Sequence, residues 1–310
     1  MRRAVAFAPA TVANVAVGFD VLGFAVEGIG DTVTVTEEGG SGRSVRVEGV
    51  EGAPVPVDPE RNTASVAVRA YLEARGLDGA YAVRVEKGIP LSAGMGGSAA
   101  SAVGAVVAVN ALQESPLPRE GLLPYALRGE TAASGAPHAD NAAPCLFGGL
   151  TAVFGDPPEV LEVPVPPGLL CVLVHPDVLV DTRTARAGLA KDVPLAAHVR
   201  QSGRLAASLV ACFRGDLTLL GRALRDELIE PQRAPLIPGF AGVRRAALEA
   251  GAIACSISGS GPTLFALAAG RGEAERARDA MRSAFRAHGT AAEGWISAAG
   301  GPGAAIIGSP

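Results

Sequence analysis

Alternation of apolar and polar residues marks the first elements of the chain. Ser44-Val45-Arg46-Val47-Glu48 and Tyr81-Ala82-Val83-Arg84-Val85-Glu86 alternate, and residues 33–35 alternate valine with threonine, the pattern of half-buried strands. Met1 to Phe7 reads as a first strand, because its apolar run is too short for a signal peptide and is broken by Pro9. Residues 64–75 predict a helix entered through Asn62-Thr63 and closed by Gly76. A second helix is expected over residues 98–113 and a further helical region over 119–134. The first of these is built from Ala, Gly, Ser and Val, which predicts close packing inside a core. A Pro/Gly-rich stretch at 155–168 is the candidate domain boundary. Beyond it come a buried strand at 169–174, a long helical zone at 195–228, short apolar strands at 252–258 and 263–267, an amphipathic helix at 272–288 and a last strand at 292–298. This order predicts an α+β layer with helices on one face of a mainly antiparallel sheet.

Composition narrows the class. At 310 residues the chain is long enough for two domains, and 48% hydrophobic with 19% charged residues describes a globular protein. No run of about 18 uncharged apolar residues stands apart as a membrane span. A net charge of −4 gives no electrostatic case for nucleic acid or an anionic membrane. Cys145, Cys171, Cys212 and Cys255 are scattered without metal-site spacing, and three lie in apolar runs; buried free thiols in a reducing compartment are expected. Lysine occurs only at Lys87 and Lys191.

The candidate chemistry starts at Pro90-Leu91-Ser92-Ala93-Gly94-Met95-Gly96-Gly97-Ser98-Ala99-Ala100, a glycine-rich turn running into a helix. Free backbone N–H groups and the positive end of the helix dipole make such a turn an anion cradle. The absence of any Gly-Lys-Ser/Thr rules out a Walker loop. A dinucleotide fingerprint is formally satisfied, with Glu114 20 residues after Gly94. However, the six residues 88–93 intervene before Gly94 where the fingerprint must follow its strand at once, and Glu114 precedes a Pro-rich loop instead of ending a second strand. Taken alone, the turn is better read as a tight bend with close helix packing. Three further segments accompany it: Ala8-Pro9-Ala10-Thr11-Val12-Ala13-Asn14 with Val17-Gly18-Phe19-Asp20-Val21-Leu22-Gly23; Pro137-His138-Ala139-Asp140-Asn141; and Gly259-Ser260-Gly261-Pro262. Taken alone, each has an ordinary reading as a turn, a cap or a hairpin.

In this order the segments resemble the GHMP kinases. The glycine turn is similar to their phosphate-binding motif and Gly259-Ser260-Gly261-Pro262 to their third motif. The N-terminal segments, Pro137 to Asn141, Thr182-Arg183-Thr184-Ala185-Arg186 and Glu230-Pro231-Gln232-Arg233 resemble the homoserine kinase family within them. The resemblance spans residues 6–267. It implies an α+β GHMP kinase fold, with a ribosomal-S5-domain-2-like ATP-binding domain over 1–160 and a ferredoxin-like C-terminal domain over 161–310.

The resemblance also implies roles. Asn14, Asp20, His138, Asp140, Arg186 and Arg233 would line a homoserine pocket, the arginines gripping the carboxylate in a bidentate fork. Asp20, with Asn14 or Asp140, would hold the ammonium and hydroxyl end. Thr182 matches a position near the reacting hydroxyl, and Asp140 is open to two roles, base or ammonium ligand. Pro90, Leu91, Ser92, Ala93, Gly94, Met95, Gly96, Gly97, Ser98, Ala99 and Ala100 would wrap the triphosphate of ATP, with Asn62 at the adenine. Ser98 and Glu130 match the Mg²⁺ ligands. Gly97 stands where much of the superfamily has Ser, and Thr11-Val12 where some members carry a lysine, so catalysis would rest on positioning and charge neutralisation. The implied enzyme is a cytoplasmic homodimer of threonine biosynthesis that phosphorylates L-homoserine. Two other readings are a kinase for mevalonate or shikimate, which needs a pocket for a lone carboxylate, and a silent nucleotide binder, which has no need of both Ser98 and Glu130.

Overall fold

The computed structural model describes residues 2–40 and 42–308. The chain opens on a long hairpin, β1 (Arg2–Ala13) and β2 (Leu22–Gly39), paired antiparallel from Arg2↔Glu37 to Ala13↔Gly23. Strand β1 is therefore longer than its first apolar run. Pro9, expected to break it, sits where the register shifts between Pro9 and Thr11, a bulge at which a missing N–H costs no ladder bond. The turn of this hairpin, residues 14–21, forms one wall of the site described below.

Next come β3 (Arg43–Glu51), α1 (Thr63–Arg75), β4 (Gly79–Glu86), α2 (Gly97–Ala111), α3 (Leu123–Ser134) and α4 (Ala139–Phe147). The ends of α1 are chemically explicit: Asn62 caps its start by accepting from Ala64 and Ser65 N–H, and Gly76 ends it at φ +64°. Helix α2 is buried almost all round. A Cβ on Gly104 would come within 2.8 Å of Val33, so the missing side chain lets the helix lie directly on β2. Strands β5 (Leu150–Phe154) and β6 (Glu159–Val163) then form a second hairpin added to β2.

The remainder holds β7 (Leu170–Pro176), α5 (Thr182–Ala187), α6 (Leu195–Arg214), α7 (Leu217–Ala223), α8 (Glu230–Arg233), α9 (Phe240–Glu249), β8 (Ala254–Ile257), β9 (Leu264–Ala268), α10 (Arg271–Ala287), β10 (Ala292–Ala298) and β11 (Ala305–Gly308). Among the described residues the strands make two sheets, one ordered β11-β1-β2-β4-β3 with β5 and β6 branching from β2, the other β10-β7-β9-β8. Among the described residues only β3 and β4 pair parallel.

Three features differ from the sequence pattern. The Pro/Gly-rich stretch at 155–168 contains β6, and residue 160 falls inside that strand. Strand β11, near the C-terminus, returns to pair with β1, so the sheets do not divide the chain into two contiguous halves. Nor do helices cover only one face of the second sheet. Val172 and Val174 pack with Ala247, Met281 and Phe285 of α9 and α10. The alternate residues Cys171 and Leu173 join a core with Phe24, Cys212 of α6 and Leu220 of α7. Period-two alternation gives a strand two apolar faces when both are covered. All four cysteines are buried and free. No helix among the described residues is long and apolar enough to cross a membrane.

Candidate functional site

The two glycine turns interlock through their backbones. Gly94 (φ +71°) lies against residues 258–261 so closely that a Cβ would meet Ser258 O at 2.4 Å and Gly261 O at 2.6 Å. Ser258 Oγ donates to Gly94 O at 2.8 Å, and Thr263 N–H to Ala93 O at 3.3 Å. Glycine is required here for both φ and clearance. Gly96 caps α2 at φ +69°, where a Cβ would lie 2.1 Å from Thr11 Oγ1. The turn thus ends with the N-terminus of α2 open to a cavity of about 510 Å³.

Pro90, Leu91, Ser92, Ala93, Gly94, Gly96, Gly97 and Ser98 line that cavity. Met95, Ala99 and Ala100 do not: their side chains are packed in the core, because the tight turn and the first helical turn each direct part of their residues inward. Met95 contributes its carbonyl, which accepts from Thr11 N–H at 3.0 Å.

Sequence reasoning missed Lys87 and Asp31. Lys87 lines the cavity, and its Nζ donates to Asp31 Oδ2, to Gly97 O at 2.7 Å and to Ser101 Oγ at 3.1 Å. Asp31, fully buried, also accepts from Gly88 and Ile89 N–H, each at 3.2 Å. The pair ties the strand before the turn to the start of α2. Its one sequence signal was rarity: a chain that uses arginine almost everywhere keeps a lysine where a compact ammonium is enclosed.

The opposite wall is the β1/β2 turn. Asn14, Val15 and Ala16 hold consecutive positive φ values of +68°, +42° and +60°, and Asp20 follows at +57°. For valine such a backbone is an outlier, and clusters of this kind mark functional sites. Asn14 serves as a strut: Nδ2 donates to Gly259 O at 2.9 Å while Oδ1 accepts from Asp20 N–H at 3.2 Å. Bonded at both ends, the amide braces the wall. Asp20 accepts from Arg186 Nη2 at 2.6 and 2.9 Å. Arg233, buried, donates Nη1 to Gly259 O at 2.7 Å. The buried Nε atoms of Arg186 and Arg233 have no hydrogen-bond partner among the described residues, which leaves two donors for an anionic ligand. Burial, and then the charge of Arg186, hold Arg233 below the usual arginine value.

Asp140, in the first turn of α4, is buried with Oδ1 unpartnered among the described residues. Burial, and then the neighbouring charge of Asp20, push its carboxyl up to about 7. His138 Nδ1 lies 2.9 Å from Glu130 Oε1; a carboxylate only accepts, so the ring donates. Burial alone would lower His138, but the bond to Glu130 and the charges of Glu130 and Asp140 carry it above its ordinary value. Glu130 and Ser98 line the same cavity. No group of three or more His, Cys, Asp or Glu among the described residues is placed to hold a metal. One carboxylate and one hydroxyl instead fit a magnesium ion that shares its coordination with phosphate and water.

Thr182, at the start of α5, meets Ser260 Oγ at 3.1 Å and lines the cavity with it. Asn62 lines it as well, yet its side chain is engaged: Oδ1 caps α1 and Nδ2 donates to Pro56 O at 2.8 Å. It shapes the loop at that end, with one N–H of Nδ2 beyond the Pro56 bond.

A phosphate cradle facing a charged pocket within one cavity is the layout of a small-molecule kinase of the GHMP fold. The family profiles "GHMP kinases N terminal domain" and "GHMP kinases C terminal" match residues 62–149 and 208–287. The homoserine kinase of Xylella fastidiosa (strain 9a5c) is 47% identical over 304 residues, covering 97% of this chain and 93% of that protein. That of Xanthomonas campestris pv. campestris (strain B100) is 43% identical over 309 residues, covering 99% and 95%. The crystal structure of homoserine kinase from Cytophaga hutchinsonii ATCC 33406 superposes with a TM-score of 0.95 at 41% identity, over 98% of this chain and 97% of that one. The chain belongs to the homoserine kinase family of the GHMP kinases.

Proposed function

We propose that the enzyme transfers the γ-phosphoryl group of ATP to the hydroxyl of L-homoserine, giving O-phospho-L-homoserine and ADP for threonine synthesis in the cytoplasm. The observation that carries this reading is the single cavity, with an anion cradle on one wall and Asp20, Asp140, Arg186 and Arg233 on the other. The 90–98 turn and the α2 N-terminus take the phosphates through backbone N–H groups, and Lys87, paired with Asp31, braces the start of α2 beside them. Ser98 and Glu130 would hold Mg²⁺, which supplies charge neutralisation on the phosphates.

The acceptor wall suits a zwitterion. Arg186 and Arg233 take the carboxylate, and Asp20 the ammonium. His138, oriented by Glu130, and Thr182 bound the space between acceptor and donor. The hydroxyl oxygen forms a bond to the γ-phosphorus as the bond from that phosphorus to the β,γ-bridging oxygen breaks. Asp140 takes the hydroxyl proton. Its raised carboxyl favours this over a second ammonium contact, because a carboxylate poised near neutrality accepts and returns protons readily. Most of the acceleration comes from positioning and charge stabilisation.

The test is ADP release from Mg·ATP with homoserine, mevalonate, shikimate and no acceptor in parallel. Release stimulated by homoserine alone is expected, and equal release in all four overturns the reading.

A further inference from the structure

Two of the arginines that line the cavity, Arg186 and Arg233, rest on one side chain that does not itself line it. The guanidinium carbons of Arg186 and Arg233 lie 5.3 and 5.2 Å from the ring centroid of Phe19, within the range of a cation–π contact. Phe19 is half-buried and absent from the cavity wall, so it acts through the arginines. Arg186 is thereby fixed twice by adjacent residues, its edge by the Asp20 carboxylate and its face by Phe19. Arg233 is fixed by Phe19 and the Gly259 carbonyl.

The backbone around Phe19 is built to hold it still. Gly18 N–H donates to Asn14 O at 2.8 Å, and Leu22 N–H to Gly18 O at 2.8 Å. A Cβ on Gly18 would lie 2.4 Å from Leu22 Cγ. Asp20 is held by Asn14 Oδ1. The strained turn therefore presents an aromatic ring and a carboxylate side by side from a rigid base.

Two guanidinium groups brought together repel, and among the described residues Arg233 has no carboxylate as a hydrogen-bond partner. The negative face of an aromatic ring offsets that repulsion without neutralising either charge, which a carboxylate in its place would do. We infer that Phe19 is a positioning residue that holds Arg186 and Arg233 at the separation needed to grip the acceptor carboxylate, and so sets affinity for the amino-acid substrate. This rests on the acceptor assignment made above.

The test compares Phe19→Leu with Phe19→Tyr in the full-length enzyme. Leucine keeps apolar bulk but has no π face; tyrosine keeps the ring. Two contacts of ordinary size correspond to about a tenfold effect. Phe19→Leu is expected to raise KM for homoserine by about that factor, with kcat and the KM for ATP unchanged, and Phe19→Tyr to restore the wild-type KM. An unchanged homoserine KM in Phe19→Leu overturns the inference. So does a parallel rise in both KM values, or an equal loss in the leucine and tyrosine variants, each of which marks a merely structural role. Failure of the parent assignment is seen separately, as a wild-type enzyme that homoserine does not stimulate.

Discussion

Asp20 and Arg186, 166 residues apart, form a two-point ion pair in which both carboxylate oxygens accept from Nη2 of the arginine. With side chains 41% and 36% exposed, the pair contributes little to stability, since partly exposed ion pairs contribute about 0–1 kcal/mol. Asp20 also occupies a left-handed backbone position, one that aspartate adopts more readily than most residues. The arrangement is therefore better explained by ligand binding. Asp20→Asn is expected to melt within about 1 kcal/mol of wild type, while KM for homoserine rises by about 10–100-fold, as for loss of a charge-assisted hydrogen bond. Steady-state kinetics with each substrate varied in turn checks this, and KM for ATP should not move.

Gly96 separates the phosphate cradle from its supporting strand. A Cβ there meets Thr11 Oγ1 at 2.1 Å and Asn141 Oδ1 at 2.8 Å, and those two side chains are bonded to each other at 2.8 Å. Gly96→Ala must displace them and also hold alanine at φ +69°, a backbone cost of about 1–2 kcal/mol. The variant is expected to remain folded with a lowered melting temperature and to lose nucleotide affinity first. Calorimetric titration with a nonhydrolysable ATP analogue would show the loss.

Ser98 and Glu130 supply an alcohol and a carboxylate on one cavity wall. Glu130→Gln should raise the Mg²⁺ concentration for half-maximal activity, and Ser98→Ala should do so less strongly, because a neutral oxygen donor contributes less than a charged one to a hard cation. Chelation should abolish turnover in the wild type. A magnesium curve unmoved by Glu130→Gln would remove that residue from the site.

The parts of this architecture that were legible in the sequence are those set by neighbours along the chain. Strand β4 showed in its alternation, α1 in the Asn62 cap and the Gly76 stop, and the cradle in its glycines. Asn62 and Asn14 line the cavity, but the bonds that brace their amides were not legible. An amide is legible as a residue type, whereas its partners, the Pro56 and Gly259 carbonyls, are set by tertiary folding. The Lys87–Asp31 pair joins residues 56 apart, and no local pattern announces such a contact. The left-handed run at Val15 and Ala16 contradicts local propensity outright, as functional turns do when the surrounding fold imposes them. Strand β11 is brief, and only its partner β1 makes it a strand.

Asp140 ties activity and stability to pH in opposite senses. Its carboxyl stands near 7 in the folded protein, against about 3.9 in an unfolded chain. Between those values the folded state holds a proton that the unfolded state has released. The contribution of this group to stability therefore falls as pH rises through that window, and is least favourable above about pH 7. Activity runs the other way, since a proton acceptor must be ionised, so kcat/KM should decline as pH falls below about 7. Asp140→Asn removes the buried charge and the acceptor together. At about pH 8 the variant is expected to melt above wild type, with the difference shrinking toward about pH 4, while kcat falls by about 10²–10⁴. Thermal scans at both pH values and a wild-type pH–rate profile measure the two effects independently. A variant that gains stability but keeps its turnover would leave Asp140 as a ligand of the substrate and not the group that takes its proton.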